Sequence, residues 1–371
     1  MFTEKNAADI LLINSLDKRY GSTYRARNIF AALTSMGRGC TYVESNYDLN
    51  TAGVVSISQK DTIPSYIAAS IKRAILVLRE NYSLAMIQKI TPLTFFAIAA
   101  VLMKGRPLVV DWDDLDAEFQ SSRIRKYLVR ALEVLVPRHI DVITTHSKTI
   151  ADYAAGKGAR RVSYLPQVID TELFNPYRFD RIREKRCLGL EAKTVLGYTG
   201  TLTEGGMRDI DIILDFFKER CSSDRYCLLI AGGGPLKNRL EAMIREKYGI
   251  KNYVITGTLA QNEMPRYISA MDACFVYMRE NIGNEARVSL KLLEYLAMER
   301  IVFGKVVGQT NDILGKYVYD FSEFKPDGLK HSMETRHLYL EEARKTVEEK
   351  YSMESLKASL GELLSLVQKC R

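Results

Sequence analysis

No Cys-x-x-Cys pair occurs in the 371 residues; Cys40, Cys187, Cys221, Cys227, Cys274 and Cys370 are scattered. This spacing excludes a zinc or dithiol framework, and scattered thiols suit a reducing cytosol. No apolar run is long enough to cross a bilayer. The most apolar stretch, residues 92–103, is far shorter than the roughly 20 residues a crossing needs, and it reads as a buried helix. The first residues, MFTEKNAADILLINSL, hold an acidic residue and an early strand in place of a basic run and a cleavable apolar segment. They predict no secretion. Internal repeats and low-complexity tracts are missing, as is any RNA-binding motif with clustered aromatics. The formal charge of +8, with a pI near 9.0, biases the surface toward anionic partners. Charge alone does not choose among nucleotide diphosphates, anionic lipid headgroups and nucleic acid, but the missing motif ranks nucleic acid last.

The chain is too long for one ordinary core and suits two domains of roughly 150–200 residues. Hydrophobic residues make up 47% and charged residues 26%, an ordinary globular composition. Short apolar runs alternate with amphipathic stretches, the pattern of parallel sheets covered by helices. Strands are expected at 10–14, 40–44, 84–88, 107–111, 142–145 and 161–164, with helices at 23–36, 65–79 and 92–104. A charged stretch, residues 175–186, reads as linker. Alternation restarts with strands at 194–198, 226–231, 253–256, 273–276 and 301–304, and helices at 209–219, 236–248, 263–270 and 289–297. The tail, 332–369, reads as two helical segments broken near Tyr351, with Ser352 as an N-cap. The expected division is an N-terminal domain over 1–172, a linker over 173–192 and a C-terminal domain over 193–350. A final helix over 351–371 would pack back on the N-terminal domain. Two doubly wound halves would face an interdomain cleft, with the chemistry in loops at the strands' carboxyl ends.

Four constellations sit in such loops. Tyr20-Gly21-Ser22-Thr23-Tyr24-Arg25 is a glycine turn opening a helix, where free N–H groups attract phosphate and Arg25 adds charge. Such turns are also common without a ligand. Gly200-Thr201-Leu202 with Gly205-Gly206-Met207-Arg208 forms a loop able to wrap a diphosphate, with Arg208 placed to pair with its oxygens. The other reading is a loop with an exposed arginine. Gly232-Gly233-Gly234-Pro235 suits a tight turn with proline at the first helical position. It lacks the Gly-x-Gly-x-x-Gly spacing of a dinucleotide fingerprint, which disfavours a Rossmann dehydrogenase. Last, a polar loop from Arg279 runs into a helix bearing Lys291 and Glu294, three residues apart and on one face. Glutamate is a natural acceptor for two ribose hydroxyls, although such a pair is usually a solvated face.

The order of these pieces resembles the retaining glycosyltransferases of family 4, which have the GT-B fold of two Rossmann-like domains. The resemblance covers nearly the whole chain and is strongest in the second half. It is carried by Gly200–Arg208, by Ile230–Pro235, by Val254–Gly257 with Ser269-Ala270-Met271-Asp272-Ala273, and by Glu294–Phe303. In the first half, Asp141–Ser147 and Leu165-Pro166-Gln167-Val168-Ile169-Asp170 resemble the family's path out of its N-terminal domain. The resemblance implies retaining transfer from a nucleoside-diphosphate sugar, held mainly by the C-terminal domain, to an acceptor on the N-terminal side. Glu294 would bind the ribose, while Arg208 and Lys291 would stabilise the diphosphate leaving group without a metal or other cofactor. Gly21, Ser22, Gly200, Thr201, Gly233 and Gly257 would line the donor.

The chain departs from the family pattern at three places. A second glutamate eight residues before Glu294 is replaced by Ala286, leaving adjacent Glu285 as its substitute. The basic residue after the first glycine is Thr201. The N-domain histidine has one positional candidate, His146, which would join Arg208 and Lys291 as catalytic or would serve only structure. With Arg25, the aspartates Asp111, Asp113 and Asp114 at a strand's carboxyl end are acceptor-side candidates; an N-capping role for Asp114 or Asp116 is the alternative. The basic residues Arg123, Arg125, Lys126, Arg130 and Arg138, interleaved with apolar ones, form a cationic amphipathic helix. It would be an ordinary surface helix or would lie on an anionic membrane. The second case implies a cytoplasmic protein, peripheral on the inner face of the membrane, with a glycan or lipid-linked glycan acceptor. Alternative functions are a noncatalytic nucleotide-sugar-binding protein and a nucleotide-sugar epimerase.

Overall fold

The computed structural model describes residues 8–17, 21–48, 50–120, 122–204, 207, 209–325 and 337–369. The chain divides into two compact units. The first comprises Met1–Gln167, Ala286–Val288 and Met353–Arg371; the second comprises Val168–Glu285 and Ser289–Ser352.

The first unit is built on a parallel sheet of β1 (Ala8–Ile13), β2 (Cys40–Ser45), β3 (Val54–Ile57), β4 (Tyr82–Gln88), β5 (Leu108–Asp111), β6 (Val142–Thr145) and β7 (Val162–Tyr164). Their order is β3-β2-β1-β4-β5-β6-β7, so the direction of winding reverses between β1 and β4. Ile10 lies between Cys40 and Leu84 in register. The central strands are apolar because both faces are covered. The helices are α1 (Ser22–Ser35), α2 (Ile63–Arg79), α3 (Pro92–Lys104), α4 (Arg123–Leu135) and α5 (Lys148–Gly156). Right-handed crossovers set α1 on one face and α2 to α5 on the other. In agreement, α2 packs on α3 and α3 on α4. α3 is well delimited: Thr91 and Thr94 form a reciprocal capping box, Pro92 starts it, and Gly105 at φ +64° ends it.

The second unit repeats the winding with β8 (Thr194–Thr199), β9 (Tyr226–Ala231), β10 (Tyr253–Ile255), β11 (Ala273–Tyr277), β12 (Ile301–Lys305) and β13 (Val318–Tyr319). The order is β10-β9-β8-β11-β12-β13, reversing between β8 and β11. Its helices are α6 (Arg181–Cys187), α7 (Ile210–Arg220), α8 (Lys237–Ala242), α9 (Met264–Ala270), α10 (Ile282–Glu285), α11 (Leu290–Ala297), α12 (Gly308–Leu314) and α13 (His337–Lys350). The last helix of the chain, α14 (Met353–Gln368), belongs to the first unit and packs on α1. Among the described residues no helix is long and apolar enough to cross a membrane.

Two parallel sheets flanked by helices match the expected fold class. The element list differs from the expected one in several places, and two of the differences have local causes. β3 was not expected, because its four residues include an exposed Ser56 at the sheet's edge. The charged stretch at 175–186, expected as linker, holds α6. Asp180 caps that helix by accepting from the N–H groups of Ile182 and Arg183. Its charges find partners: Lys185 Nζ reaches Asp272 Oδ2 at 2.5 Å, and Glu184 takes Arg266 Nε at 3.1 Å.

Candidate functional site

In the second unit the carboxyl ends of β8, β9 and β10 interlock through glycine. A Cβ on Gly232 (φ +153°) would lie 1.9 Å from the Gly200 carbonyl oxygen, and one on Gly233 would lie 2.2 Å from the Thr258 nitrogen. Leu202 N–H donates to the Gly233 carbonyl at 2.9 Å, and Leu236 N–H donates to the Leu202 carbonyl at 3.0 Å. The triple glycine is therefore what lets three loops meet at the sheet's edge. Gly257 (φ +82°) has open space where its Cβ would be, so its backbone angle, not packing, calls for glycine.

α11 is pinned to the end of β8. Tyr295 Oη accepts from the Thr199 N–H at 2.7 Å. One helical turn earlier, Lys291 Nζ donates to Tyr198 Oη at 2.6 Å and lies 3.8 Å from the centre of that ring. The same nitrogen is 3.3 Å from where a Cβ on Gly200 would stand. Among the described residues Lys291 forms no ion pair. It is thus a fixed cation held by a phenol at the strand end. Glu294, half-buried, has no hydrogen-bond or ion-pair partner among the described residues. Burial raises its carboxyl to about 7, against a smaller opposing pull from Lys291.

Thr201 is exposed beside Gly200. Arg208, Gly205 and Gly206 lie outside the described residues. Nearby, Arg279 bridges Asp209 and Asp211, with Nε at 3.1 Å and Nη2 at 2.7 Å. Glu285 ends α10, half-buried, and its backbone closes on Gly308, whose Cβ would be 2.3 Å from the Glu285 Cα. Ala286 is fully buried in the core of the first unit.

The candidates of the first unit are arranged differently. Arg25 forms a buried bidentate pair with Asp111, Nε to Oδ2 at 2.7 Å and Nη2 to Oδ1 at 2.8 Å. Its remaining donors go to the carbonyls of Leu165 and Pro166 and to Gln167 Oε1. Asp111 also accepts from Thr144 Oγ1 at 2.9 Å. All five guanidinium N–H groups are engaged, leaving none for a ligand. Asp113 and Asp114 gather with Asp116 around Lys89, whose Nζ lies 2.9, 3.1 and 3.0 Å from their respective carboxylates. Lys89 sits at φ +69°, just past β4, and sequence reasoning missed it. Burial and neighbouring carboxylates push Asp113 up to about 6 and Asp116 to about 7, with Lys89 opposing. Burial also opposes ionisation of Asp114, but Lys89 and Arg287 prevail and lower its pKa.

His146 is buried, and its Nε2 accepts from the Val288 N–H at 3.2 Å. Burial first, and the positive charge of Arg25 second, lower its pKa to about 3, so the ring is neutral. An accepting Nε2 puts the proton on Nδ1, which is buried with no partner. Gly21 has an ordinary helical backbone (φ −56°) with nothing within 4 Å of a would-be Cβ. Ser22 is half-buried, its carbonyl accepting from Gln88 Nε2 at 2.8 Å. Tyr20 lies outside the described residues. Among the described residues no group of three or more His, Cys, Asp or Glu is placed to hold a metal ion.

Residues 193–328 match the family model described as glycosyl transferases group 1. Among curated proteins, 2-deoxystreptamine glucosyltransferase of Streptomyces kanamyceticus is 27% identical over 173 residues. That match covers 44% of this chain and 44% of the relative, less than half its length. Among solved structures, Anabaena HepE in complex with UDP and glucose superposes with a TM-score of 0.72 at 14% identity, covering 96% of this chain and 99% of that one. WaaG, a glycosyltransferase involved in lipopolysaccharide biosynthesis, gives 0.69 at 13% identity, covering 95% and 99%. With its two wound parallel sheets, the chain has the GT-B fold, and its residues 193–328 are similar to the glycosyl transferases group 1 family.

Proposed function

We propose that this protein is a glycosyltransferase of family 4 type, moving a sugar from a nucleoside-diphosphate donor to a glycan or lipid-linked glycan with retention at the anomeric carbon. The observation that carries this reading is the pair at the end of β8: among the described residues, Lys291 is a fixed cation that forms no ion pair, and Glu294 a carboxyl that accepts no hydrogen bond. A diphosphate near Gly200 would meet the ammonium group, and a ribose diol would supply the donors that Glu294 lacks. As the glycosidic bond breaks, negative charge grows on the diphosphate, and Lys291 would stabilise it most at that moment. Arg208 would add a second cation, and the loops that Gly233 and Gly257 shape would line the nucleotide. On the acceptor side, the neutral His146 would supply an N–H donor at Nδ1 to a sugar hydroxyl. Asp113 or Asp114 would take part in acceptor binding. One structural neighbour fits the donor class: HepE is solved with UDP-glucose. No step of this scheme requires a metal or other cofactor.

The test is a panel of nucleotide sugars incubated with oligosaccharide and lipid-linked acceptors. Proton NMR would follow the anomeric signal of the product. Diphosphate release that requires acceptor, with the donor's anomeric configuration kept, is the expected result. An inverted product would overturn the mechanism. Donor binding without transfer would instead indicate a noncatalytic nucleotide-sugar-binding protein, and sugar inversion without acceptor an epimerase.

A further inference from the structure

We propose that the outer face of α2, α3 and α4 is a docking surface for an anionic lipid bilayer. Thirteen of the eighteen exposed large apolar side chains among the described residues lie on these three helices. On α2, Ile63, Ile67, Ile71 and Ile75 recur every four residues, a continuous stripe pointing away from the sheet. On α3, Phe96 and Met103, seven residues apart, share an outward face, and Met103 is 81% exposed. On α4, Ile124 and Tyr127 are 74% and 76% exposed. Because the three helices lie side by side on one face of the sheet, their stripes belong to one surface. An apolar surface of this extent marks an interaction site.

Charge identifies the occupant. The three helices hold eight basic residues and one acidic residue, Glu133, which is buried. Across the whole chain the two signs are nearly balanced, 53 against 45. Arg73 is turned inward onto Ser45 and Gln59. Lys72, Arg79, Arg123 and Arg125 are exposed, each next in sequence to an exposed apolar residue. Apolar side chains interleaved with cations suit the boundary between acyl chains and anionic headgroups. A second copy of this chain fits poorly, because a two-fold contact would set these cations against their own copies. This surface belongs to the first unit and the donor site to the second, and the proposal does not depend on the reading of that site.

Co-sedimentation with phosphatidylcholine vesicles, with and without phosphatidylglycerol, tests the proposal in the absence of nucleotide. Two exposed-surface variants are compared with the wild type: Ile67→Asn with Ile71→Asn, and Arg123→Gln with Arg125→Gln. Circular dichroism confirms that each is folded. Binding to phosphatidylglycerol vesicles only, weakened by salt, and about tenfold or more weaker in each variant is the expected result. No sedimentation with anionic vesicles overturns the proposal, as does binding that both variants retain in full. A dimer seen by light scattering and lost in the apolar variant would assign the surface to a second copy instead.

Discussion

The ends of the two central strands, β1 and β8, sit at equivalent points of two similarly wound sheets, yet their surroundings treat charge in opposite ways. Around the first, charges are consumed internally: Arg25 is locked on Asp111, and Lys89 is ringed by three aspartates. Around the second, Lys291 rests on a phenol and Glu294 rests on nothing among the described residues. Buried charges that are paired with each other hold a fold in place. Charges left unpaired at a strand's carboxyl end are a standing cost that a ligand removes. By this contrast, substitutions in the first unit should register mainly as lost stability, and those in the second mainly as lost function.

The largest expected effect is at Arg25. Arg25→Ala leaves Asp111 buried without its partner and should lower stability by about 3–5 kcal/mol, measured by urea unfolding. A change near zero would mean that the pair is not what holds β5 to α1. At Lys291 the balance reverses. Lys291→Met should cost about 1 kcal/mol of stability while reducing turnover about a hundredfold to a thousandfold. If turnover persisted, the phenol-held ammonium would be structural and the contrast would collapse.

A smaller effect concerns pH. Glu294 titrates at about 7 in the folded protein, above the ordinary 4.5. Between those values the folded state keeps a proton that the unfolded chain has released. Its contribution therefore makes stability fall as pH rises through this window, with the full penalty present above it. The Tm gain of Glu294→Gln over wild type, measured without nucleotide, should grow across the window and level off above it. A gain independent of pH would show that the carboxyl is not desolvated. The smallest effect is at Gly21, where nothing opposes a side chain. Gly21→Ala should alter stability by no more than about 0.5 kcal/mol. Any loss of turnover beyond that would report close approach of a ligand, whereas Gly233→Ala, driven into Thr258, should destabilise the fold outright.

The strand pattern was readable because parallel strands covered on both faces are short apolar runs, as in LLIN and CLLIA. β3 and α6 were not, for the opposite reason: one is four residues at a sheet edge, and the other is held by ion pairs with residues about eighty positions away. Lys291 and Glu294 were legible from helical spacing. Their settings were not, because Tyr198 and Tyr295 act through contacts across about a hundred residues, and no local pattern marks a phenol that will hold an ammonium group. Lys89 was hidden similarly, as a single lysine after a strand, remote from the aspartates it gathers. Arg25 and Asp111 were both singled out, but the sequence could not show that they bind each other.

Calorimetric titration of UDP, GDP, ADP and dTDP into wild type and Glu294→Ala tests the central claim most directly. The account predicts that the wild type binds one of these diphosphates selectively and that Glu294→Ala, still folded, weakens it at least about tenfold by removing charge-assisted hydrogen bonds to the ribose. Failure of the wild type to bind any of them, or equal binding by the variant, would contradict it.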